Sequence, residues 1–356
     1  MTDVGIVGAG AGAAAAAFVV DNAVSDADVT VVEKSGGLCG RAATRRHDDV
    51  TYDYGANYLK SDDDRVVELV TETLDDSGLV DAAEPIYTFD ASGEVTPGRD
   101  ADARKWSYRR GITQIAKRLF DRTDATVHRR TRVETVRRRG GGVASSAEPG
   151  DGRWEFVDAA GETHGPFDVA LLNPPAPQTA ELLRSAAWDD PLRGTLADAV
   201  GDVEYRNIWT AVLRYPFRLD VPYYGLVNTD KEHAVGWLSR EECKAGHVPD
   251  GESLLVVQAN DAWSRAHGDD DPAENVAALA AHAAAILDDD RLTDPAWTDH
   301  QSWRYALPEG GVDRGPVDAA REEGLYLLGD WVAGEARLHA AIANGLDVGE
   351  RVAGDV

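Results

Sequence analysis

Hydrophobic residues near the start of the chain fall into two short runs that are separated by an alanine-rich segment. The first run, Val4–Val7, leads into a glycine-rich turn at residues 8–12, and the second run, Val29–Val32, ends at Glu33. Runs of this length are typical of buried strands, and the alanine-rich segment between them favours a helix. A strand, a turn, a helix and a second strand in this order predict a βαβ unit of a parallel sheet.

The same unit carries the residue types that a bound dinucleotide requires. Gly8 allows a tight turn, and Gly10 lets the backbone come close to a pyrophosphate. The helix that starts near Ala11 directs its free N–H groups and its dipole at that anion. Glu33 is placed to accept hydrogen bonds from ribose hydroxyls, and the adjacent Lys34 is assigned to the same site. These residues predict a dinucleotide-binding site.

The pattern changes in the middle of the chain. Residues 108–120 have helical spacing, and residues 273–287 form an alanine-rich amphipathic pattern. Alternation typical of an antiparallel sheet recurs in three segments, 208–214, 234–239 and 252–258. Because single cores usually stop growing at about 250–300 residues, a chain of 356 residues predicts two domains. We therefore expect an α/β protein in which a Rossmann-type domain carries an inserted α+β domain built on an antiparallel sheet.

The charge of the chain restricts its partners. It carries 63 acidic and 36 basic residues, for a formal net charge of -27. The acidic runs at 62–64, 269–271 and 288–290 lack the ligand alternation of a calcium loop, so they are interpreted as hydrated surface and no metal site is predicted. The composition resembles that of proteins from halophiles. It predicts self-repulsion at low salt and disfavours nucleic acid and anionic membranes as partners.

Cysteine content and hydropathy indicate the cellular compartment of the protein. Two cysteines, Cys39 and Cys243, are too few for a disulfide framework or a four-cysteine zinc site. The start of the chain lacks the basic region of a signal peptide. The apolar stretch from Val4 to Val20 contains glycine and is shorter than the roughly twenty apolar residues that a membrane span needs. These features predict a cytoplasmic protein that does not span a membrane.

A second glycine-rich loop, Gly36–Thr44, precedes an Asp-x-Gly-Ala-x-Tyr segment at residues 53–58. This arrangement resembles the second glycine motif of two-domain flavoproteins of the amine oxidase superfamily, and it implies FAD as the cofactor. Gly40 then permits close backbone approach, and Arg41 offers a cation to the flavin pyrophosphate. Asn57 is assigned to the cofactor site by the same resemblance. Where these proteins usually have glycine, Cys39 is interpreted as a small buried residue; a thioether link to the flavin is the alternative.

The C-terminal part of the chain resembles the flavin-closing motif of the same superfamily. A hydrophobic run ends at Gly329 and Asp330, and the resemblance implies that the Asp330 carboxylate meets the ribityl chain. It also implies that the helix bearing Leu338 and Ala341 directs its N-terminus at the isoalloxazine. His339, at the start of that helix, is a candidate for proton transfer.

The same resemblance places the adenine against the backbone of Val133. It further implies a discontinuous FAD-binding domain over 1–75, 125–185 and 298–356, with the substrate domain over 76–124 and 186–297.

A narrower resemblance, to the renalase family, rests on two segments. One is the Pro-x-Pro-Gln sequence at residues 175–178 and the other is Gln301–Pro308. It implies an oxidase that takes a hydride from a small substrate, a dihydronicotinamide isomer, and passes electrons to dioxygen. Trp303 and Tyr305 are candidates for an aromatic wall that holds the donor against the flavin, with Arg304 available for an anionic substrate.

Several alternatives remain open at this stage. A primary amine or polyamine oxidase commonly presents a lysine that holds a water near the flavin, and neither Lys231 nor Lys244 can be matched to it. A desaturase acting on isoprenoids, a flavin-binding protein without turnover, and a protein that binds NAD instead of FAD are further alternatives. The sequence leaves the oligomeric state open.

Overall fold

The computed structural model describes residues 1–98, 103–140 and 152–356 of the chain. Its strands are, in chain order, β1 (Thr2–Val7), β2 (Ala27–Glu33), β3 (Thr44–His47), β4 (Val50–Asp53), β5 (Leu79–Asp81), β6 (Ile86–Phe89), β7 (Val95–Pro97), β8 (Trp106–Tyr108), β9 (Thr126–Arg129), β10 (Val133–Arg139), β11 (Arg153–Asp158), β12 (Thr163–Phe167), β13 (Val169–Leu172), β14 (Glu204–Tyr215), β15 (Gly225–Asn228), β16 (Val235–Arg240), β17 (Ser253–Ala259), β18 (Trp297–Glu309) and β19 (Leu325–Leu327).

The α-helices of the described ranges are α1 (Ala11–Ala23), α2 (Asp64–Glu68), α3 (Gln114–Phe120), α4 (Ala176–Ser185), α5 (Pro191–Gly201), α6 (Asp261–Ala266), α7 (Pro272–Leu287), α8 (Arg314–Arg321), α9 (Asp330–Ala333) and α10 (Leu338–Asp355). A π-helical turn at Leu69–Thr73 follows α2, and short 3₁₀ turns occur at Glu241–Cys243 and Asp290–Thr293. Within the described residues, no helix is both long and apolar enough to cross a membrane.

A five-stranded parallel sheet forms one half of the molecule, in the order β19, β13, β1, β2 and β9. β1 lies at its centre, where Val4 has Val169 on one side and Val29 on the other. Val4 and Ile6 are fully buried, as expected for a strand whose two faces are both covered. β1, α1 and β2 follow one another along the chain, and β1 pairs with β2 in parallel. The predicted βαβ unit is therefore confirmed.

The other half is built on a seven-stranded sheet, here called the lobe sheet, in the order β18, β14, β17, β16, β15, β6 and β7. All neighbouring strands in it are antiparallel except β15 and β6. The three segments predicted to alternate lie in β14, β16 and β17, and the predicted helix over 273–287 is α7. The fold class is therefore confirmed.

The two faces of the lobe sheet have different partners. One face carries Leu213 and Leu255, which pack in a cluster with Leu279 of α7. The opposite face carries Val212 and Val256, which pack in a cluster with Tyr52 of β4. Successive apolar residues of β14 and β17 thus pack into two different cores. One core lies under α7, and the other lies against the parallel-sheet half. β18 belongs to this sheet, although the predicted domain boundary assigns residues from 298 onward to the FAD-binding domain.

The prediction of a helix over residues 108–120 is wrong before residue 114. Tyr108 ends β8 instead and pairs with Leu79 of β5. Gly111 has a φ of 86°, a left-handed conformation that interrupts helical backbone. α3 therefore begins only at Gln114.

Candidate functional site

The glycine turn between β1 and α1 exposes backbone to a large cavity. Gly8 has a φ of 92°, which favours glycine, and a side chain at Gly10 would overlap the Asn173 side chain. The Gly10 N–H donates to the Asn173 Oδ1 atom at 3.1 Å. Gly10 offers no capping side chain, and the first turn of α1 contains no acidic residue. The N–H groups at the start of this helix are therefore available to an anion, which fits a dinucleotide pyrophosphate.

Glu33 lies at the end of β2 and closes this turn. One carboxylate oxygen accepts from the Ala9 N–H at 2.7 Å, and the other accepts from the Ser35 N–H at 2.7 Å. Each oxygen retains a further lone pair, so the contact with ribose hydroxyls stays a prediction. The neighbouring Lys34 donates to the Gln178 Oε1 atom at 2.9 Å.

Arg41 and Asp330, which are far apart in sequence, meet at the cavity. The Arg41 Nη2 atom lies 2.6 Å from the Asp330 Oδ1 atom, and its Nη1 atom donates to the Ala306 carbonyl at 2.9 Å. Burial disfavours the charged form of Arg41, but the adjacent Asp330 carboxylate outweighs burial and raises the pKa of Arg41. The glycine-rich loop and the C-terminal motif thus meet at the cavity, while contacts of Arg41 and Asp330 with a flavin stay predictions.

Cys39 occupies a backbone conformation that favours glycine. Its φ is 82°, and 2% of its surface is exposed. Burial raises the pKa of the Cys39 thiol to about 12, which keeps the sulfur protonated and poorly nucleophilic. These features favour the interpretation of Cys39 as a small buried residue, and covalent attachment to flavin stays an untested alternative.

The N-terminus of α10 also faces the cavity. Leu338, His339 and Ala341 all line it. The His339 Nε2 atom lies 3.4 Å from the Glu335 Oε1 atom. In the second turn of this helix, the Asn344 Oδ1 atom accepts from the Gly329 N–H at 2.8 Å. That bond ties the Gly329 turn to α10.

The predicted aromatic wall lies on β18. The Trp303 ring stacks on Tyr54 with a centroid distance of 5.4 Å, and its Nε1 atom donates to the Tyr54 carbonyl at 3.2 Å. Tyr305 packs against Tyr205 at 5.8 Å. Arg304 alternates with these two aromatic residues along the strand and is exposed.

All the site residues predicted from the sequence line a single cavity of about 2540 Å³ between the parallel sheet and the lobe sheet. They are Gly8, Gly10, Ala11, Glu33, Lys34, Gly40, Arg41, Asn57, Val133, Trp303, Arg304, Tyr305, Gly329, Asp330, Leu338, His339 and Ala341. The structure brings these residues together, and their individual roles stay predictions.

Sequence reasoning missed Asn173 as a residue of this site. Asn173 follows β13, lines the cavity, and donates from Nδ2 to the Leu328 carbonyl at 3.1 Å. It therefore connects the glycine turn to the end of β19. A polar residue at the carboxyl end of a predicted parallel strand is the signal that could have identified it, because ligands of such sheets bind at that edge.

A buried charged cluster joins the two halves of the molecule beside the cavity. The Lys244 Nζ atom lies 3.0 Å from Asp53 Oδ2 and 2.7 Å from Glu241 Oε1, and all three side chains are fully buried. His247 places Nδ1 2.7 Å from Glu241 Oε2 and Nε2 2.8 Å from the Tyr108 carbonyl oxygen. Asp53, Glu241 and His247 could form a metal site, because their ligand atoms lie within 4.8 Å of one another. Lys244 already supplies the cation between the carboxylates.

Two protein-family models match the chain. One, described as an NAD(P)-binding Rossmann-like domain, matches residues 6–73. The other, described as a flavin containing amine oxidoreductase, matches residues 95–353 and thus more than half of the chain.

Solved structures share the whole fold at low sequence identity. A candidate protoporphyrinogen oxidase from an Exiguobacterium species is 15% identical, with a TM-score of 0.75 over 100% of this chain and 99% of that chain. A putrescine oxidase bound to putrescine is 13% identical, with a TM-score of 0.72 over 99% and 98%. The cyclohexylamine oxidase of Brevibacterium oxydans is 12% identical, with a TM-score of 0.73 over 99% of both chains. At these identities the similarity establishes the fold.

Proposed function

Because this chain belongs to the flavin-containing amine oxidoreductase family, it is an FAD-dependent oxidoreductase, and we propose that its hydride donor is an anionic dihydronicotinamide isomer. The observation that carries this proposal is a set of cationic side chains at the cavity that have no acidic partner. It favours a phosphate-bearing donor, as in the renalase family, over a cationic amine.

Several basic residues line the cavity without an ion pair to any residue in the described ranges. They are Lys34, Arg132, Lys231, Arg304, Arg314, Arg337 and Arg351. The Arg337 Nη1 atom donates only to the carbonyl of the adjacent Ala336, at 2.8 Å. In a chain with a net charge of -27, basic side chains left without carboxylates are available to an anion. Guanidinium groups suit phosphate because they donate two parallel hydrogen bonds.

Several carboxylates of the same lining are already neutralised by arginine side chains. Asp261 lies 2.9 Å from the Arg265 Nε atom, and Glu309 lies 2.6 Å from the Arg206 Nε atom. Asp62, Glu134 and Glu181 are exposed carboxylates of the lining without such a partner in the described ranges. In the described lining, the basic residues without an ion pair thus outnumber the carboxylates without one, and this excess would attract a dinucleotide and repel an amine cation.

The chain's own residues are proposed to bind and orient the donor and to exclude water. FAD, when bound, accepts a hydride and passes the electrons to dioxygen, so that one donor, one dioxygen and one proton give one oxidised nicotinamide and one hydrogen peroxide. Trp303 and Tyr305 would hold the flat donor ring, since aromatic faces stack on such rings. No general base is required, because a hydride leaves the donor directly.

Oxidation of a primary amine is the second candidate function. It is favoured by the fold neighbours that are described as putrescine oxidase and cyclohexylamine oxidase. Against it, Lys244 is buried between Asp53 and Glu241 and is absent from the cavity lining, so it is unsuited to hold a water there. Lys231 does line the cavity, but it is exposed.

Anaerobic stopped-flow absorbance of the FAD-bound protein tests the proposal. The protein is mixed with isomeric dihydronicotinamides, ordinary NAD(P)H and a panel of primary amines. We expect rapid loss of flavin absorbance with the isomers alone. Reduction by amines and not by the isomers would overturn the proposal and establish the second candidate.

A charge substitution tests the role of the basic residues. In Lys231→Glu, we expect the dissociation constant of a phosphate-bearing isomer to rise several-fold through repulsion, with little effect on the limiting rate of reduction. The matched control is a dihydronicotinamide riboside without phosphate, whose binding should change little. Equal effects on both donors would argue against phosphate recognition by Lys231.

A further inference from the structure

Trp237, on β16 of the lobe sheet, presents an unused hydrogen-bond donor at the cavity. The residue lines the cavity, and its Nε1 atom is buried without a hydrogen-bond partner in the described part of the chain. Buried indole N–H groups usually have an acceptor, because an unpaired donor retains its full desolvation penalty. A ligand that brings an acceptor would satisfy this group.

The indole of Trp237 is held in one position by its neighbours. Gly225 of the adjacent strand makes room for it, since a Cβ atom there would lie 2.7 Å from the Trp237 Cη2 atom. The Tyr58 and Tyr224 rings flank it, with centroid distances of 6.0 Å and 6.1 Å. The direction of the N–H bond is therefore fixed by packing, which is what a recognition group needs.

Gln258, on β17, supplies the complementary acceptor. It is the register partner of Trp237, which places the two side chains on the same face about 4.5–5.5 Å apart at Cβ. Its Nε2 atom donates to the Gly55 carbonyl at 2.9 Å, and this bond orients the amide so that Oε1 points away from Gly55. Among the described residues no group donates to that Oε1 atom, and Gln258 lines the cavity.

The two side chains also lie beside the predicted aromatic wall. A Cβ atom added at Gly55 would lie 3.3 Å from the Trp303 Cζ2 atom. Gly55 therefore lies between the Gln258 amide and the Trp303 ring and is close to both. A planar ligand that stacks on Trp303 would therefore bring its edge within reach of Gln258. Trp237, on the neighbouring strand β16, is the register partner of Gln258, so its Nε1–H group lies next to the Gln258 side chain.

We propose that Trp237 and Gln258 form a recognition pair for a primary carboxamide on the ring of the hydride donor. The carboxamide oxygen accepts from the Trp237 Nε1–H group, and the carboxamide NH₂ donates to the Gln258 Oε1 atom. The inference rests on the proposed function and deepens it, because a dihydronicotinamide carries this group. A protonated alkyl amine has no acceptor for Trp237, so the pair would select against it.

Binding of free nicotinamide to the oxidised holoprotein, followed by perturbation of the flavin absorbance, tests the pair without any hydride transfer. In Trp237→Phe, which keeps the aromatic ring and removes the N–H group, we expect the dissociation constant to rise about 10-fold. Trp263→Phe is the matched control, because Trp263 lies on α6 of the same lobe and does not line the cavity. Its dissociation constant should stay within two-fold of the original.

A ligand comparison isolates Gln258. 3-Acetylpyridine keeps the carbonyl acceptor and lacks the NH₂ group, so the unaltered protein should bind it about 5- to 10-fold more weakly than nicotinamide. Gln258→Leu should abolish this preference. If that variant fails to bind FAD, the ligand comparison in the unaltered protein still decides the matter, since equal binding of the two ligands would overturn the role of Gln258.

The outcomes separate this inference from the proposed function. Absence of nicotinamide binding, or equal binding in the two tryptophan variants, overturns the recognition pair even if dihydronicotinamide isomers reduce the flavin. Discrimination by Trp237 with reduction by amines alone supports the pair and overturns the proposed function.

Discussion

The two ends of the cavity are built from different parts of the polypeptide. At the end formed by the parallel sheet, backbone N–H groups and glycine residues line the surface, as at Gly8 and Gly10. At the lobe end, the lining consists of side chains from a sheet, such as Trp237, Gln258 and Trp303. The first end offers a shape and a dipole that any dinucleotide can use, whereas the second offers individual donors, acceptors and aromatic faces.

Substrate specificity can change more readily at the lobe end than at the parallel-sheet end. A backbone-lined site tolerates few substitutions, because any side chain fills the space that the ligand needs. A side-chain-lined site can exchange one recognition group for another while the sheet is retained. The fold neighbours described as amine oxidases and a protoporphyrinogen oxidase share the fold at 12–15% identity, which agrees with a constant frame.

The largest effect is expected from blocking the backbone-lined end. Gly10→Val would force a side chain into the space of Asn173 and away from the position of a pyrophosphate, so the purified protein should contain no FAD. Flavin absorbance relative to protein absorbance measures this occupancy. Gly194→Val is the control, since a Cβ atom there meets no atom within 4 Å. Full flavin occupancy in Gly10→Val would refute the cofactor assignment.

A second substitution removes the cation of the buried charged cluster that joins the two halves of the molecule. Lys244→Met would leave the fully buried carboxylates of Asp53 and Glu241 without their cation, and loss of one partner of a buried ion pair destabilises by about 3–5 kcal/mol. Urea unfolding measures the change. Lys231→Met is the control, because Lys231 is exposed and should change the unfolding free energy by less than about 0.5 kcal/mol. Equal stability of the two variants would show that the cluster does not hold the halves together.

A smaller effect is expected where side chains assist the backbone-lined end. Asp330→Asn would remove the carboxylate that lies 2.6 Å from Arg41, and we expect FAD to bind at least 10-fold more weakly, because charged hydrogen bonds contribute about 1.5–3 kcal/mol. Titration of the apoprotein with FAD provides the affinity. The exposed Asp318→Asn is the control. Unchanged affinity in Asp330→Asn would mean that the C-terminal motif has another role.

The smallest effect is a pH dependence of the buried cluster. Burial alone would raise the pKa of Asp53, but Lys244 and His247 outweigh burial and hold it below its usual value. A carboxyl whose folded pKa is depressed stabilises the protein above the unfolded pKa of about 3.9, and this stabilisation is lost as the pH falls through the folded value. The stability difference between the original protein and Asp53→Asn should therefore be constant near neutral pH and shrink below about pH 4. A difference that is unchanged in acid would contradict this assignment.

The glycine turn and the acidic residue of the backbone-lined end could be predicted from the sequence, although Asn173, which accepts from the Gly10 N–H, was missed. Its requirements are local: a glycine at a fixed distance from a strand, a small residue at the start of a helix, an acid at the end of the next strand. FAD as cofactor is confirmed by the family match. Even Arg41 and Asp330, 289 positions apart, could each be identified from their own neighbours in the chain.

The lobe end could not be predicted to the same degree. Alternation predicted β16 and β17, but it does not determine which strand lies beside which, and the pairing of Trp237 with Gln258 depends on that register. The charged cluster was missed for the same reason, because Lys244 lies 191 positions from Asp53 and belongs to no motif. The lobe's substrate specificity therefore depends on tertiary contacts that have no local signature.

The spatial order of the parallel sheet has a consequence for protein synthesis. β1 is synthesised before the other strands of its sheet, yet that sheet is completed only by β19. The helix packed beside α1 is α10, where Gly345 lies directly against the Gly12 carbonyl. A nascent chain that ends before residue 325 lacks the last strand of the sheet, Asp330 and the N-terminus of α10. The nucleotide site is thus complete only after these C-terminal elements have been synthesised, and a nascent chain without them carries an incomplete site.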